Sequence, residues 1–141
     1  MIKKFNLRFL KEILRIEKKA FPKTPYDMFT FLYYAKLYPD TFLVYMGEFS
    51  NKIRGYIIFT PNGHIISVAV DHPLRRKGIG THLVSKVLIV SKGKARLEVR
   101  EGNKVAQMFY EKLGFRQIDV IQECYGDEDA IVMVRDNGSS L

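Results

Sequence analysis

Arg75 to Gly80 read RRKGIG and stand between two apolar runs, Ile65 to Val70 and Ile79 to Val90. Residues of these types in this order can hold a phosphate. Glycine brings the backbone close to a ligand with no Cβ in the way, and a helix start leaves N–H donors unpaired with partial positive charge behind them. The kind of phosphate ligand is narrowed by what the segment lacks. A P-loop needs Lys and then Ser or Thr directly after its last glycine, but Gly80 is followed by Thr81 and His82. A dinucleotide fingerprint needs a third small residue three positions after Gly80, where this chain has Leu83. A tight strand-to-helix turn with solvated basic residues is the plain alternative.

The elements that would present this loop can be read along the chain. Ile2 to Phe5 reads as a strand, and Asn6 as the cap of a helix with a buried stripe of Leu10, Ile13 and Leu14 that ends near Phe21 and Pro22. A second helix, rich in aromatics, runs from about Tyr26 to Leu37, where Pro39 and Asp40 break it. Thr41 to Glu48 and Ile53 to Thr60 read as strands, and Pro61 to Gly63 turn the chain into the strand Ile65 to Val70. The helix Ile79 to Val90 stops at Lys92 and Gly93. Ala95 to Arg100 follow as a strand, Asn103 caps a helix to Leu113, Gly114 ends it, and Phe115 to Gln122 and Ala130 to Arg135 are the last strands. The order predicts an α/β fold: a mixed, mostly antiparallel, twisted sheet of seven strands with four helices on both faces.

Length, at 141 residues, with 47% apolar and 13% aromatic content, predicts one domain over 1–136 and a loose tail at 137–141. A net charge of +8, from 23 basic and 15 acidic residues, suits an anionic ligand, an acidic partner or a nucleic-acid surface without choosing among them. The one cysteine, Cys124, cannot form an internal disulfide, so a cytoplasmic location is expected. Lys11, Glu12, Arg15 and Glu17 interrupt the apolar zone near the start, so no signal-peptide core forms there. No apolar run approaches a membrane span, and no repeat appears. His72 and His82 have no metal-ligand spacing with Cys124, so no metal is expected.

Two segments in order carry a resemblance. VAVDHPLRRKGIGTHLV (Val68 to Val84) and LEVREGNKVAQMFYEKLGF (Leu97 to Phe115) resemble the acetyl-CoA motif and the following strand and helix of the GCN5-related N-acetyltransferase (GNAT) superfamily. Within it the chain looks most like the RimI-type and archaeal protein N-terminal acetyltransferases, through LEVR, Asn103, Ala106, Tyr110, Gly114-Phe115 and YGDEDAIVM (Tyr125 to Met133). Ile16-Glu17 and Ala20-Phe21-Pro22 with Tyr26 look like that subfamily's first helix and loop. One departure is visible: relatives often carry two adjacent tyrosines where this chain has Cys124 and Tyr125.

The resemblance implies acetyl transfer from acetyl-CoA, as cosubstrate and without a metal, to a primary amine, foremost a protein N-terminus. It assigns the phosphates to backbone N–H groups of Arg75, Arg76, Lys77, Gly78, Ile79, Gly80 and Thr81, and the pantetheine arm to the backbone of Val68, Ala69 and Val70. Asn103 and Tyr110 would line the cofactor, although Asn103 also reads as a plain helix cap. The same pattern makes Glu98 the base and Tyr110, twelve positions on, the acid. A strand-edge ion pair and a half-buried helix aromatic are their plain alternatives. An α-amine, with an unperturbed pKa of roughly 7.7 to 8.0, costs about 3.4 kcal/mol less to deprotonate than lysine at about 10.4, so a carboxylate acting through water is enough.

Glu17 puts a carboxylate on an otherwise apolar helix face, where lining the amine cleft and forming an ion pair explain it equally. Phe21, Pro22, Tyr26 and Tyr125 would wall the peptide groove by resemblance, with core packing as the alternative. His64 reads as a strand-end histidine or a proton relay, and Cys124 as an incidental thiol. Membranes and nucleic acid are not expected among the partners. Three readings follow: N-terminal acetylation, acetylation of lysine side chains or a small amine, and an inactive acyl-CoA- or nucleic-acid-binding module. The last draws on the basic residues Lys11, Arg15, Lys18 and Lys19.

Overall fold

Leu10, Ile13 and Ile16 recur at helical spacing, and in a computed structural model, which describes residues 1–47, 49–71 and 78–136, they form the buried face of α1 (Leu10–Ala20). Asn6 accepts from the Arg8 N–H at 3.0 Å and so caps a 3-10 turn, Leu7–Phe9, that leads into α1. The second helix, α2 (Met28–Leu37), starts two residues later than its aromatic pattern predicts. Asp27 decides the start, because its Oδ1 accepts from the Thr30 N–H at 2.9 Å.

Strands β1 (Ile2–Lys4), β2 (Phe42–Met46), β3 (Ile53–Phe59) and β4 (Ile65–Val70) form a four-stranded sheet in that order. β1 with β2 and β2 with β3 are antiparallel, with Val44 opposite Tyr56. Tyr56, Ile57, Ile58 and Phe59 are all fully buried, so both faces of β3 are covered there. Then come α3 (Ile79–Val90), β5 (Ala95–Arg100), α4 (Lys104–Lys112), β6 (Arg116–Ile121) and β7 (Ala130–Arg135). The last three strands form a second sheet, antiparallel, in the order β5-β7-β6. Among the described residues seven strands and four α-helices match the expectation from sequence, with the strands divided between two sheets. The tail at 137–141 lies outside the described residues.

The backbone divides into two compact units. One comprises Met1–Thr60 and Ser67–Lys86, and the other Pro61–Ile66 and the chain from Val87 on. β4 and α3 run from one unit into the other. In the first unit, α1 packs on β3. In the second, the buried Arg135 donates from Nε to the Leu113 carbonyl at 3.1 Å and from a terminal nitrogen to the Gly93 carbonyl at 3.0 Å. Those carbonyls lie just beyond the ends of α4 and α3, so one guanidinium satisfies backbone acceptors after both helices.

Gly63 enters β4 at a φ of +98°, and a Cβ built there would stand 2.1 Å from the Lys94 carbonyl oxygen. The site therefore demands glycine twice over, for its backbone angle and for its contact. Gly63→Ala is expected to destabilise the protein by about 2–4 kcal/mol. Thermal unfolding checks this, and a melting temperature within a degree or two of the parent would contradict the contact.

Candidate active site

In the first unit, the strand and helix start assigned to the cofactor are held from below. Ala69 is buried while Val68 and Val70 are half-buried. Past β4, the Asp71 N–H donates to the Arg54 carbonyl at 2.8 Å, and its carboxylate takes two hydrogen bonds from Arg15, at 3.1 and 3.3 Å. Asp71 in turn raises the Arg15 pKa through that hydrogen bond. The chain entering the basic loop is thus anchored to α1. Arg75, Arg76 and Lys77 lie outside the described residues. Gly78 has a φ of +81°, and among the described residues, its chain neighbours aside, no atom lies within 4 Å of where a Cβ would sit. The His82 N–H donates to the Gly78 carbonyl at 3.0 Å and begins the ladder of α3. The N–H groups of Ile79, Gly80 and Thr81 precede that bond, which is the donor set an anion needs at a helix start.

The same unit contains Glu17, fully buried. Its Oε2 accepts from the Tyr26 N–H at 2.9 Å and its Oε1 from the Tyr56 hydroxyl, which also bonds Ser67 Oγ at 2.8 Å. Burial pushes the Glu17 pKa up, and the Tyr26 and Tyr56 hydrogen bonds oppose that. Tyr26 is half-buried, its ring 5.7 Å from those of Phe31 and Tyr34. Phe21 is half-buried and Pro22 exposed.

In the second unit, an isolated parallel bridge pairs His64 with Arg96, and the Arg96 N–H donates to the Gly63 carbonyl at 2.9 Å. That register sets His64 beside Glu98, two residues along β5 on the same face. Nε2 of His64 is 2.9 Å from Glu98 Oε1, and Arg96 Nε is 3.9 Å from Oε2. The His64 hydrogen bond, with Coulombic help from His64 and Arg96, outweighs burial and holds Glu98 below the usual carboxylate value. An ionised carboxylate only accepts, so a neutral His64 carries its proton on Nε2 and its basic lone pair on Nδ1.

Asn103 Oδ1 accepts from the Ala106 N–H at 3.1 Å and caps α4. Nε2 of Gln107 donates to the carbonyls of Arg100 and Glu101, at 3.0 and 2.9 Å, which fixes the start of α4 against the end of β5. One turn further on, Tyr110 is 7% exposed, with its ring against Phe109 and Phe115. Burial alone pushes its pKa well above the usual tyrosine value. Among the described residues no hydrogen bond engages the Tyr110 hydroxyl. Tyr125 lies in the loop before β7, its ring 4.2 Å below the guanidinium of Arg100. Arg100 also pairs with Glu128 at 3.1 Å and Asp127 at 3.6 Å.

Comparison with known proteins supplies the family of a chain carrying these groups. Residues 7–115 match the Acetyltransferase (GNAT) family. The chain belongs to that family. Its reaction class is transfer of an acetyl group from acetyl-CoA. This acetyltransferase is 37% identical to an uncharacterised N-acetyltransferase of Methanocaldococcus jannaschii, across 96% of the chain and 90% of that protein. An N-alpha-acetyltransferase of Sulfurisphaera tokodaii is 30% identical, across 94% of the chain and 90% of that protein. Among solved structures, Ard1 from Thermoplasma volcanium superposes with a TM-score of 0.84 at 27% identity, covering 96% of the chain and 95% of that structure.

The geometry sorts the residues that the sequence singles out. It pairs Glu98 with His64, Glu17 with Tyr26, and Tyr125 with Arg100, while Tyr26 and Tyr125 belong to different compact units. Arg100, Tyr56 and Ser67 join these residues only in the folded chain. Arg100 lies two beyond Glu98 on the same strand face, which the sequence shows, whereas the partnership of Tyr56 with Glu17 spans thirty-nine positions and leaves no local signal. Cys124 is exposed and outside any disulfide. No helix among the described residues is long and apolar enough to cross a membrane.

Proposed function

We propose that this acetyltransferase acts on the N-terminal α-amine of proteins or peptides by direct attack on acetyl-CoA. The N–H groups of 78–81 with Arg75, Arg76 and Lys77 take the pyrophosphate, and the backbone of Val68 to Val70 and Asn103 with Tyr110 take the rest of the cofactor. The amine nitrogen bonds to the thioester carbon, the C–S bond breaks with its electron pair on sulfur, and the nitrogen's surplus proton passes to the Glu98–His64 pair. Tyr110 donates a hydrogen bond to the departing thiolate. Phe21, Pro22, Tyr26 and Tyr125 line the path of the peptide, and a cytoplasmic location belongs to the same reading.

One observation carries the choice of an α-amine: the base is mild. Glu98, already hydrogen-bonded to His64 at 2.9 Å and held below its usual basicity, suits an ammonium that gives up its proton near neutrality. A lysine ammonium would ask about 3.4 kcal/mol more of the same pair. The name of the Sulfurisphaera relative points the same way. The test is CoA release with peptides beginning Ser, Ala, Thr, Met or Glu, each with a free or a blocked start, and with lysine-bearing peptides among the blocked ones. Free-start peptides are expected to turn over about a hundredfold faster than blocked ones, the rate ratio that corresponds to about 2.7 kcal/mol. Faster acetylation of blocked peptides at lysine would overturn the reading.

A further inference from the structure

Glu17 carries a buried carboxylate that the transfer step does not use. Its neighbours are unusual for a charge in a core. Among the described residues no cation pairs with it, and its two oxygens are engaged instead by groups from two different elements, the Tyr26 backbone and the Tyr56 hydroxyl. Burying a carboxylate without a cation is costly, and an apolar residue at the end of α1 would pack there with no such cost. The arrangement therefore needs a reason beyond filling space.

The hydrogen positions follow from counting donors. An ionised carboxylate only accepts, so the single Tyr56 proton goes to Glu17, and Ser67 must then be the donor in its 2.8 Å contact with Tyr56. The chain of bonds runs Ser67 to Tyr56 to Glu17, with the Tyr26 N–H arriving from the other side. Ser67 immediately precedes Val68 to Val70, the stretch of β4 assigned to pantetheine. Tyr26 immediately precedes Asp27, the residue that caps α2. The aromatic rings close over the link: Phe31 stands edge-on to Tyr56 at 5.4 Å and to Tyr26 at 5.7 Å.

We infer that Glu17 is a positioning residue for the acceptor: its carboxylate ties the loop bearing Tyr26 to the cofactor strand through Tyr56 and Ser67, and so sets where the peptide lies relative to the thioester. The inference rests on the acetyl-transfer reading for what the loop and strand bind. The link itself stands on the hydrogen bonds. Both oxygens of Glu17 are engaged by protein donors, which puts its proposed action through the loop and the strand rather than through direct contact with the acceptor.

Two measurements test it on the full chain. Amide hydrogen exchange at Tyr26, without any substrate, is expected to quicken about tenfold in Glu17→Gln, because a carboxamide cannot accept from both donors with both of its heteroatoms. Steady-state kinetics on whichever amine acceptor the parent enzyme uses then separates positioning from general damage. Glu17→Gln is expected to raise the acceptor KM about tenfold or more, with the acetyl-CoA KM within about twofold and kcat within about threefold. Tyr56→Phe, which removes one hydroxyl and keeps the ring, is expected to shift the acceptor KM in the same direction by about threefold. It also gives the answer should Glu17→Gln fail to fold. Unchanged Tyr26 exchange in Glu17→Gln overturns the link, and acetyl-CoA KM and kcat changing as much as acceptor KM overturns the positioning role. A parent enzyme that acetylates some other amine would refute the N-terminal reading alone, since the exchange result and the kinetic split do not depend on which amine it is.

Discussion

Glu98→Gln is expected to lower kcat by about a hundredfold while acetyl-CoA binding, followed by calorimetry, stays within about twofold, the range general-base removal commonly gives. Glutamine keeps an oxygen where His64 Nε2 now finds Oε1 at 2.9 Å, so the ring stays oriented and only the charge is lost. In the proposed transfer, the imidazolium that would form when the pair accepts the amine's proton is then left unsupported, which is the logic of a base oriented by a third group. A plain strand-edge ion pair behaves differently. It would change stability and spare kcat, and full turnover in the variant would sink the catalytic role.

The pH dependence of stability adds a check independent of turnover. Glu98 has a folded pKa below its ordinary value, so its stabilising contribution is present above the unfolded pKa of about 4.5 and is lost as pH falls through the folded value. The gap in thermal stability between the parent and Glu98→Gln is therefore expected to be widest near neutral pH and to close in acid, where the protonated carboxyl resembles the amide. A gap that widened in acid would mean that the His64 contact does not favour the ionised form.

Much of this arrangement is legible in sequence, and the reasons differ by residue. The bounds of α3 read correctly from Ile79 to Val90 because Lys92 and Gly93, at φ values of 59° and 94°, impose a left-handed stop that composition announces. Asn103 and Asp27 work as caps through contacts three residues long, although the pull of the aromatic run hides the Asp27 cap and suggests a start at Tyr26. Long-range pairing leaves no such trace. β5 pairs with β7 across the intervening helix and strand, so nothing local divides the seven strands into sheets of four and three. His64 reads as a strand-end residue because its bridge to Arg96 lies thirty-two positions away, and that bridge is what brings it to Glu98. For Glu17, both readings from sequence assume that its charge meets a ligand or a cation, whereas its partners are an amide and a phenol. Glu98 and Tyr110 stand on a strand and a helix, as read from sequence, while the packing of Tyr110 against Phe109 and Phe115 is visible only in the tertiary contacts.

Tyr110→Phe is the second large effect expected, a fall in kcat of about a hundredfold, comparable to deleting one preorganised donor at a developing charge. The ring packs against Phe109 and Phe115 and would remain so, because phenylalanine alters only the hydroxyl. Folding stability should therefore change by less than about 1 kcal/mol, since no hydrogen bond among the described residues is lost. Burial bears on how the hydroxyl would work in the proposed transfer. Moving a proton outright from tyrosine, at an ordinary pKa of about 10, to a thiolate whose acid has about 8.5 is already uphill by about 2 kcal/mol, and burial makes it steeper. In the proposed transfer Tyr110 would thus stabilise the departing sulfur by holding a hydrogen bond to it while keeping its own proton. The pH–rate profile distinguishes the two roles. With the Tyr110 pKa pushed above 10, the parent should show no alkaline fall from this group up to pH 10, and Tyr110→Phe should lower the whole profile without changing its shape. An alkaline limb below pH 10 that vanished in the variant would show a tyrosine ionising in the working range, and equal heights for the two profiles would remove the hydroxyl from the reaction.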